Sequence, residues 1–421
     1  MTAAEAQARP RRGLAPEWVL IAFLWGCYSL NHADRQVVYT IFPALQKDFG
    51  FSDTVVGLTG ALFLWVYALC SPFAGIIGDR ISKAKLVTAS LAIWSLFTVL
   101  SGFSPNGAFL LTCRGLLGVS ESMFMPAAYA LMAAAHGPTT RSRAIGIFGT
   151  SQLIGVATGG SLSGFIAERL HWRASFWILG ALGLSFSWPL WRFLSRMPES
   201  FSRNSNPGYA RVSTFFGLLR IPSFSSVTLF VSVATFGLFL VYTWLPTFLY
   251  DKFSLGLARA GFEASVYPQI GTALGLLVGS ALADWFFNRT RASRFWVVVC
   301  ALLGGMPCLI LLGTSATLAA TRLAAIGFGF FAGFIAANQA AAAFDVVPSS
   351  LRSSAVGMLN LAGGAVSGFA PFLGGVARRT FGVDRLMTFT SGIYLLTALI
   401  VIGALVLFFK SDYERAQQEY E

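Results

Sequence analysis

Two pairs of opposite charge stand inside a chain that otherwise avoids charge. Asp34 and Arg35 are adjacent within "SLNHADRQVV", and Arg114 and Glu121 are seven residues apart within "RGLLGVSES". Both pairs interrupt long apolar runs. A carboxylate and a guanidinium held together away from water can exchange partners. Protonating the acid frees the arginine for charge-assisted contact with an external carboxylate or phosphate. Ionisable groups inside a membrane span cost roughly 2.5–3.5 kcal/mol each on insertion scales, so they mark cavities and transport paths. Asp34 and Glu121 are therefore candidate proton-coupling residues, with Arg35 and Arg114 as candidate anion ligands. His32 is a titratable neighbour or a backbone hydrogen-bonding group. Catalysis is not expected: there is no Gly-x-Ser-x-Gly elbow, His-Glu-x-x-His motif, phosphate loop or metal-spaced cluster, and no cofactor is called for.

The elements that carry these residues must cross a bilayer. Of 421 residues, 55% are hydrophobic and 11% charged, against about 25% charged in a soluble domain. Mean hydropathy is +0.67, so the bulk solvent of the chain is lipid. Apolar runs predict spans of roughly 20 residues at 18–42, 55–78, 86–104, 108–134, 143–168 and 174–195, then at 224–250, 261–287, 295–314, 317–342, 353–377 and 386–409. The expected fold is an all-α polytopic membrane protein of twelve helices in two six-helix bundles, 18–195 and 224–410. A linker at 196–223 joins them, with tails at 1–17 and 411–421. Loops on the side of both termini hold roughly twice the Lys and Arg of the opposite loops, which puts the termini in the cytoplasm of a cell whose inner membrane the chain spans. The net charge of +12 is spread over short loops and follows from that topology, so no nucleic-acid partner is expected. The five cysteines fall in apolar runs and read as small buried hydrophobes.

Helix geometry brings the four charges to similar depth. Asp34 lies about 24 Å along the first span at 1.5 Å per residue. Arg114 and Glu121 lie roughly 9 and 20 Å below the opposite start of the fourth, on one helix face. They can form a static network that locks two helices, or a set that titrates and binds an anion. The second-half spans supply uncharged polar side chains: Tyr242, Trp244, Gln269, Asn338 and Asn360, with Tyr39 comparable on the first side. Arg322 mirrors Arg114 and is either a second anion contact or a snorkelling side chain.

The halves repeat. "GIIGDRISKAK" after span two matches "GSALADWFFNRTRASR" after span eight, and "TRSRAIGIFG" entering span five matches "LRSSAVGMLN" entering span eleven. Parallel repeats of this kind bind substrate between the halves. "GIIGDRISKAK" also resembles the signature loop of the major facilitator superfamily, with Gly75, Asp79, Arg80 and Lys83 fitting and Ser82 where glycine is expected. "RGLLGVSESMFMPAA", "WRASFWILG", "MPES" and "YTWLPTFL" are similar to its anion:cation symporter and Spinster-like branches. The resemblance implies a central cavity lined by helices one, four, seven and ten. It also implies the same four charged positions and a gating role for Asp79, Arg80, Arg141 and Asp284. Gly146, Gly155, Gly159, Gly160 and Gly164 partly match the family's antiporter glycine motif; helix packing accounts for them equally well. The expected function is proton-coupled symport of a small organic anion, a carboxylate or sugar acid, by an alternating-access monomer. The alternatives are a Spinster-like carrier of lysolipid or another amphiphile, and proton-coupled efflux by antiport.

Overall fold

The computed structural model describes residues 16–197, 217–348 and 351–418, apart from the side chains of 75–80, 138, 142 and 353. The first fifteen residues and most of the expected linker, 198–216, lie outside the described residues. Every described element is a helix, because in hydrocarbon each backbone N–H and C=O must be paired within its own segment. The N-terminal half comprises α1 (Pro16–Thr40), α2 (Phe42–Phe49), α3 (Asp53–Arg80), α4 (Lys83–Gly102), α5 (Gly107–Ser122), α6 (Phe124–Ala135), α7 (Pro138–Arg169) and α8 (Trp172–Leu194). The C-terminal half comprises α9 (Pro222–Phe253), α10 (Leu257–Phe287), α11 (Ser293–Thr314), α12 (Leu318–Val346), α13 (Arg352–Ser367), α14 (Phe369–Thr380), α15 (Val383–Leu407) and α16 (Phe409–Gln418).

Three spans are broken in two: α1/α2 at Ile41, α5/α6 at Met123 and α13/α14 at Gly368. Pro43, Pro126 and Pro371 follow closely, and a proline removes a backbone donor and crowds the preceding turn. Side-chain caps fix other starts, with Asn106 accepting from the Phe109 amide and Thr317 from the Ala320 amide. Among the described residues nine helical segments are long and apolar enough to cross a membrane on their own composition. α1, α7 and α8 complete the twelve spans. They fall short because α1 carries the polar run Asn31–Gln36, α7 is rich in Gly, Ser and Thr, and α8 is rich in Trp and Ser.

Both halves pack by one rule. In the first, α3 lies on α5, α1 on α7, α4 on α8 and α4 on α5; in the second, α10 lies on α12, α9 on α13, α11 on α15 and α11 on α12. These are the same pairs of spans shifted by six. The seams between halves repeat too: α7 meets α10, and α14 and α13 meet α3. Glycines make the close approaches. A Cβ on Gly155 or Gly159 would fall 2.4 Å from Ser29 O or 2.5 Å from Ala33 Cα on α1, and one on Gly164 would fall 2.4 Å from Leu257 O on α10. Gly146 and Gly149, by contrast, meet nothing within 4 Å.

The halves are fused at the end away from the termini, here called the far end. There one hydrophobic core joins Val37, Phe42 and Val56 to Leu240, Trp244 and Ala370, whereas the termini-end core of the first half is separate. Arg378 of α14 bridges the halves by pairing with Asp53 of α3 at 2.7 Å and Asp251 of α9 at 2.8 Å, and by donating to Gln46 Oε1 at 3.0 Å. A cavity of about 260 Å³ opens beside it. On the other seam Glu168 of α7 accepts from the Ala258 amide at 2.8 Å. Ile147 and Ile154 of α7 and Leu274 and Leu277 of α10 are exposed, on helix faces turned away from the Gly160–Gly261 contact. Within the first half, burial would raise the Asp48 carboxyl, but hydrogen bonds from Arg173 and Trp172 outweigh it and hold the carboxyl below its ordinary range. That clamp is present above the ordinary carboxylate range and is lost as pH falls through the lowered value.

Two outcomes are expected. Gly159→Ala places a methyl against the α1 backbone and lowers thermal stability in detergent by on the order of 1–3 kcal/mol. Gly149→Ala, in open space, leaves it unchanged or raises it; equal melting of the two variants would refute the packing role. Arg378→Gln should speed amide hydrogen exchange in 53–60 and 371–380, whereas exchange at wild-type rates would show that Arg378 does not hold the far end closed.

Candidate functional site

α1 carries Asp34 and Arg35 one residue, and therefore about 100°, apart, so they cannot share a face. Arg35 turns towards α3 and α5, where Nε donates to Glu121 Oε2 at 2.8 Å; the Glu121 side chain is fully buried. Its guanidinium lies over Phe63 and Tyr67 of α3, 4.9 and 4.7 Å from the ring centroids. Asp34 turns instead towards α4 and accepts from Thr98 Oγ1 at 3.2 Å. Asp34 points into the first half, on a neutral hydroxyl, and remains within electrostatic reach of Arg114 and Glu121.

Arg114 is fully buried on α5. Nε donates to Thr59 O at 3.3 Å, and the guanidinium lies 5.0 Å from the Phe63 centroid. Phe63 thus carries two guanidiniums, whose charges its ring quadrupole stabilises. Of a static network of the four charges, the structure shows Glu121 on Arg35 and no ion pair for Arg114 among the described residues. Nη1 and Nη2 have no hydrogen-bond partner among the described residues, and the same holds for Asp34 Oδ1. The break at Met123 ends α5 two residues after Glu121, so the acid sits where the helix is interrupted. The cluster therefore holds one closed ion pair, one buried guanidinium with two open donors and one acid on a hydroxyl. A side chain in this state can accept a proton, and two can clasp an anion.

The remaining candidates divide. His32 is buried one turn before Gln36, edge-on to Tyr28 at 4.6 Å, with Nε2 unpartnered among the described residues. Gln269 donates to the Tyr242 hydroxyl at 2.5 Å, and Gln36 of α1 donates to Tyr242 O, so α1, α9 and α10 meet at Tyr242. Tyr39 is buried edge-on to Phe42. Trp244 donates to Pro371 O at 3.0 Å and is fully buried in the far-end core, which gives it a packing role. Asn338 ties α12 to α10 through Gly279 O at 3.2 Å, another packing contact, while Asn360 is exposed on α13.

The gating candidates are only partly visible. The side chains of Asp79 and Arg80 lie outside the described residues. Asp284 is exposed and makes no ion pair among the described residues, and Arg141 donates to His136 O and Ala133 O, capping the end of α6. Arg322 neither snorkels nor waits for an anion, because it grips Glu263 of α10 in a bidentate pair. Sequence reasoning missed Thr98, Phe63, the Glu263–Arg322 pair and the Arg378 bridge. A hydroxyl or phenyl within an apolar run gives no signal, and charges near helix ends read as solvated.

Comparison with known proteins bears on this geometry. Residues 24–371 match the sequence profile of the Major Facilitator Superfamily. A hexuronate transporter of Bacillus subtilis (strain 168) is 25% identical over 401 residues, covering 92% of this chain and 93% of the relative. An MFS-type efflux pump of Mycolicibacterium smegmatis is 29% identical over 307 residues, covering 72% of this chain and 70% of the relative. The crystal structure of a bacterial homolog to the human lysosomal transporter Spinster, inward-facing and unoccupied, superposes with a TM-score of 0.72 at 18% identity, over 95% of this chain and 98% of that one. With the repeated halves, the twelve spans and a profile match across most of its length, the chain belongs to the major facilitator superfamily and is a membrane transporter, not an enzyme.

Proposed function

We propose that this protein couples proton movement to symport of a small organic anion, a carboxylate or sugar acid, by alternating access. The observation that carries the reading is the buried Arg35–Glu121 pair beside Arg114, whose two terminal nitrogens have no partner among the described residues. Removing one partner from a buried ion pair costs about 3–5 kcal/mol because the other charge is left uncompensated. Protonating Glu121 alone is therefore unfavourable, and so is bringing an anion to Arg35 while Glu121 stays charged. Both together restore balance: the proton neutralises Glu121, and the anion takes its place on Arg35, with Arg114 offering a second donor pair. Proton and anion are then loaded in one thermodynamic step. Asp34, on Thr98, supplies the remaining negative charge that keeps two guanidiniums tolerable in one site.

The far-end closure completes the cycle. Arg378, Asp53 and Asp251 hold the far end shut. With the termini in the cytoplasm, as the basic loops indicate, this bridge is the outer gate. Substrate release is followed by re-pairing of Arg35 with Glu121, and outward opening requires the Arg378 bridge to separate. The hexuronate relative is a transporter of a sugar acid by its name, which agrees with an anion on two arginines.

A second reading has one observation in its favour. A cavity of about 590 Å³ lies between α1 and α7 near the termini, walled by Trp18, Ile21, Trp25 and Ile147, with Arg143 over the Trp18 ring at 5.5 Å. A largely apolar space with one cation suits the tail and headgroup of an amphiphile.

Purified protein in liposomes loaded with a pH-sensitive dye separates the readings. Addition of glucuronate should acidify the lumen of wild-type vesicles, and Glu121→Gln should abolish acidification while retaining exchange of labelled glucuronate across the membrane. Acidification by Glu121→Gln at the wild-type rate would overturn the mechanism, and movement of lysophospholipid alone would favour the amphiphile reading. Arg35→Lys is expected to lower uptake at least tenfold, about 1.4 kcal/mol, since an ammonium neither forks onto a carboxylate nor stacks on Phe63 and Tyr67 as a guanidinium does. Uptake within twofold of wild type would remove Arg35 from the site.

A further inference from the structure

The termini end of the C-terminal half holds a cavity of about 500 Å³ distant in sequence from the four charges. Two cations on different elements line it: Arg291, in the turn between α10 and α11, and Lys410, in the first turn of α16. Thr290 adds a hydroxyl, and Glu414 is the one acid in the lining, so the rim is net positive. Arg291 is held over the Phe287 ring at 4.6 Å. The opposite wall is apolar, and it is exposed. Val406 is 74% and Trp296 41% accessible on spans α15 and α11, which places that wall against acyl chains, with a tryptophan at the level where such rings meet headgroups.

A cationic rim at the membrane boundary running into an apolar wall along the bilayer matches one kind of molecule. We propose that this cavity binds a single anionic phospholipid, its phosphate between Arg291 and Lys410 and its first acyl carbons along Trp296 and Val406. A free inorganic anion would use the rim and leave the wall unmatched. A zwitterionic lipid would bring its own cation to a rim that already carries two. Basic pockets between membrane helices recognise acidic headgroups on these terms. The site has a mechanical consequence. α16 packs Phe409 on Phe295 at 5.2 Å, and Asp412 accepts from the Ser223 amide at the start of α9 at 3.0 Å. A lipid joining Arg291 to Lys410 therefore fastens three separate parts of the half: the α10–α11 turn, α16 and, through α16, the start of α9.

The test uses the full chain in neutral detergent, with native mass spectrometry for lipid adducts and thermal unfolding for stability. Phosphatidylglycerol, phosphatidylcholine and inorganic phosphate are added separately. Phosphatidylglycerol should be retained as one adduct and raise the unfolding midpoint, with the other two having little effect. The double variant Arg291→Gln/Lys410→Gln should bind it about 30-fold more weakly, two basic contacts each contributing a few-fold. Arg192→Gln, an interfacial arginine of the other half, should bind as wild type. Equal retention of phosphatidylcholine, equal stabilisation by phosphate, or unchanged binding by the double variant would each overturn the proposal. If the double variant does not fold, the headgroup selectivity of the wild type decides alone.

Discussion

A guanidinium and a carboxylate inside a bilayer must be matched to each other or to something that replaces the partner. Much of this structure follows from meeting that condition at Arg35 and Glu121. α5 has to bring Glu121 to the level of Arg35, and it is interrupted at Met123 just beyond. α3 has to offer aromatic faces, and Phe63 and Tyr67 do so from successive turns, four residues apart. Phe63 serves Arg114 as well, so one ring sets the spacing of two like charges. Gly118 permits the approach of α5 to α3, since a Cβ there would fall 2.7 Å from Phe63 O. Packing and electrostatics are in this sense one arrangement.

The two halves follow one packing plan but do different chemistry. The first half holds both buried acids and both arginines of the central cluster. The second answers with Tyr242 and Gln269, neutral groups that pair with each other and, through Gln36, with α1. Its own partly buried pairs, Glu263 with Arg322 and Arg294 with Asp345, join helices within the half. Those pairs are closed on themselves and leave their helices free to move as a body. The contacts that span the halves include the bridge at Arg378, the Ala258 amide on Glu168, Gln36 on Tyr242 O and Trp65 on Ala365 O, beside the glycine seams and the far-end hydrophobic core. The proposed alternating access requires these contacts to separate at one end of the seam while the helices of each half stay together.

How much of this was legible in the sequence depends on the kind of signal. Span number, the two-fold repeat and the four central charges could be read because lipid imposes a local rule: each apolar run must be long enough to cross, and each charge within one is conspicuous. Gly155, Gly159, Gly160 and Gly164 of α7 were legible as packing residues, though not which neighbour each would meet, whereas Gly146 meets none. The partners of the charges were not legible. Asp34 and Arg35 are adjacent in the chain yet face different helices, a consequence of 100° per residue that becomes informative only once α4 and α5 have been placed. The roles of Trp244 and Asn338 likewise depend on Pro371 and Gly279, which lie on other helices and far along the chain.

Hydropathy, repeat and charge placement are properties of single segments, and the sequence by itself determined them: an all-helical, twelve-span transporter in two repeated halves with ionisable groups near the middle of spans one and four. Only the tertiary structure decided that Glu121 belongs to Arg35, that Arg114 keeps two donors open, that Arg322 is spent on Glu263 and that Arg378 closes the far end. Those are pairings between helices. They are set by crossing geometry and rotamer direction, and neither is encoded in the composition of any one segment.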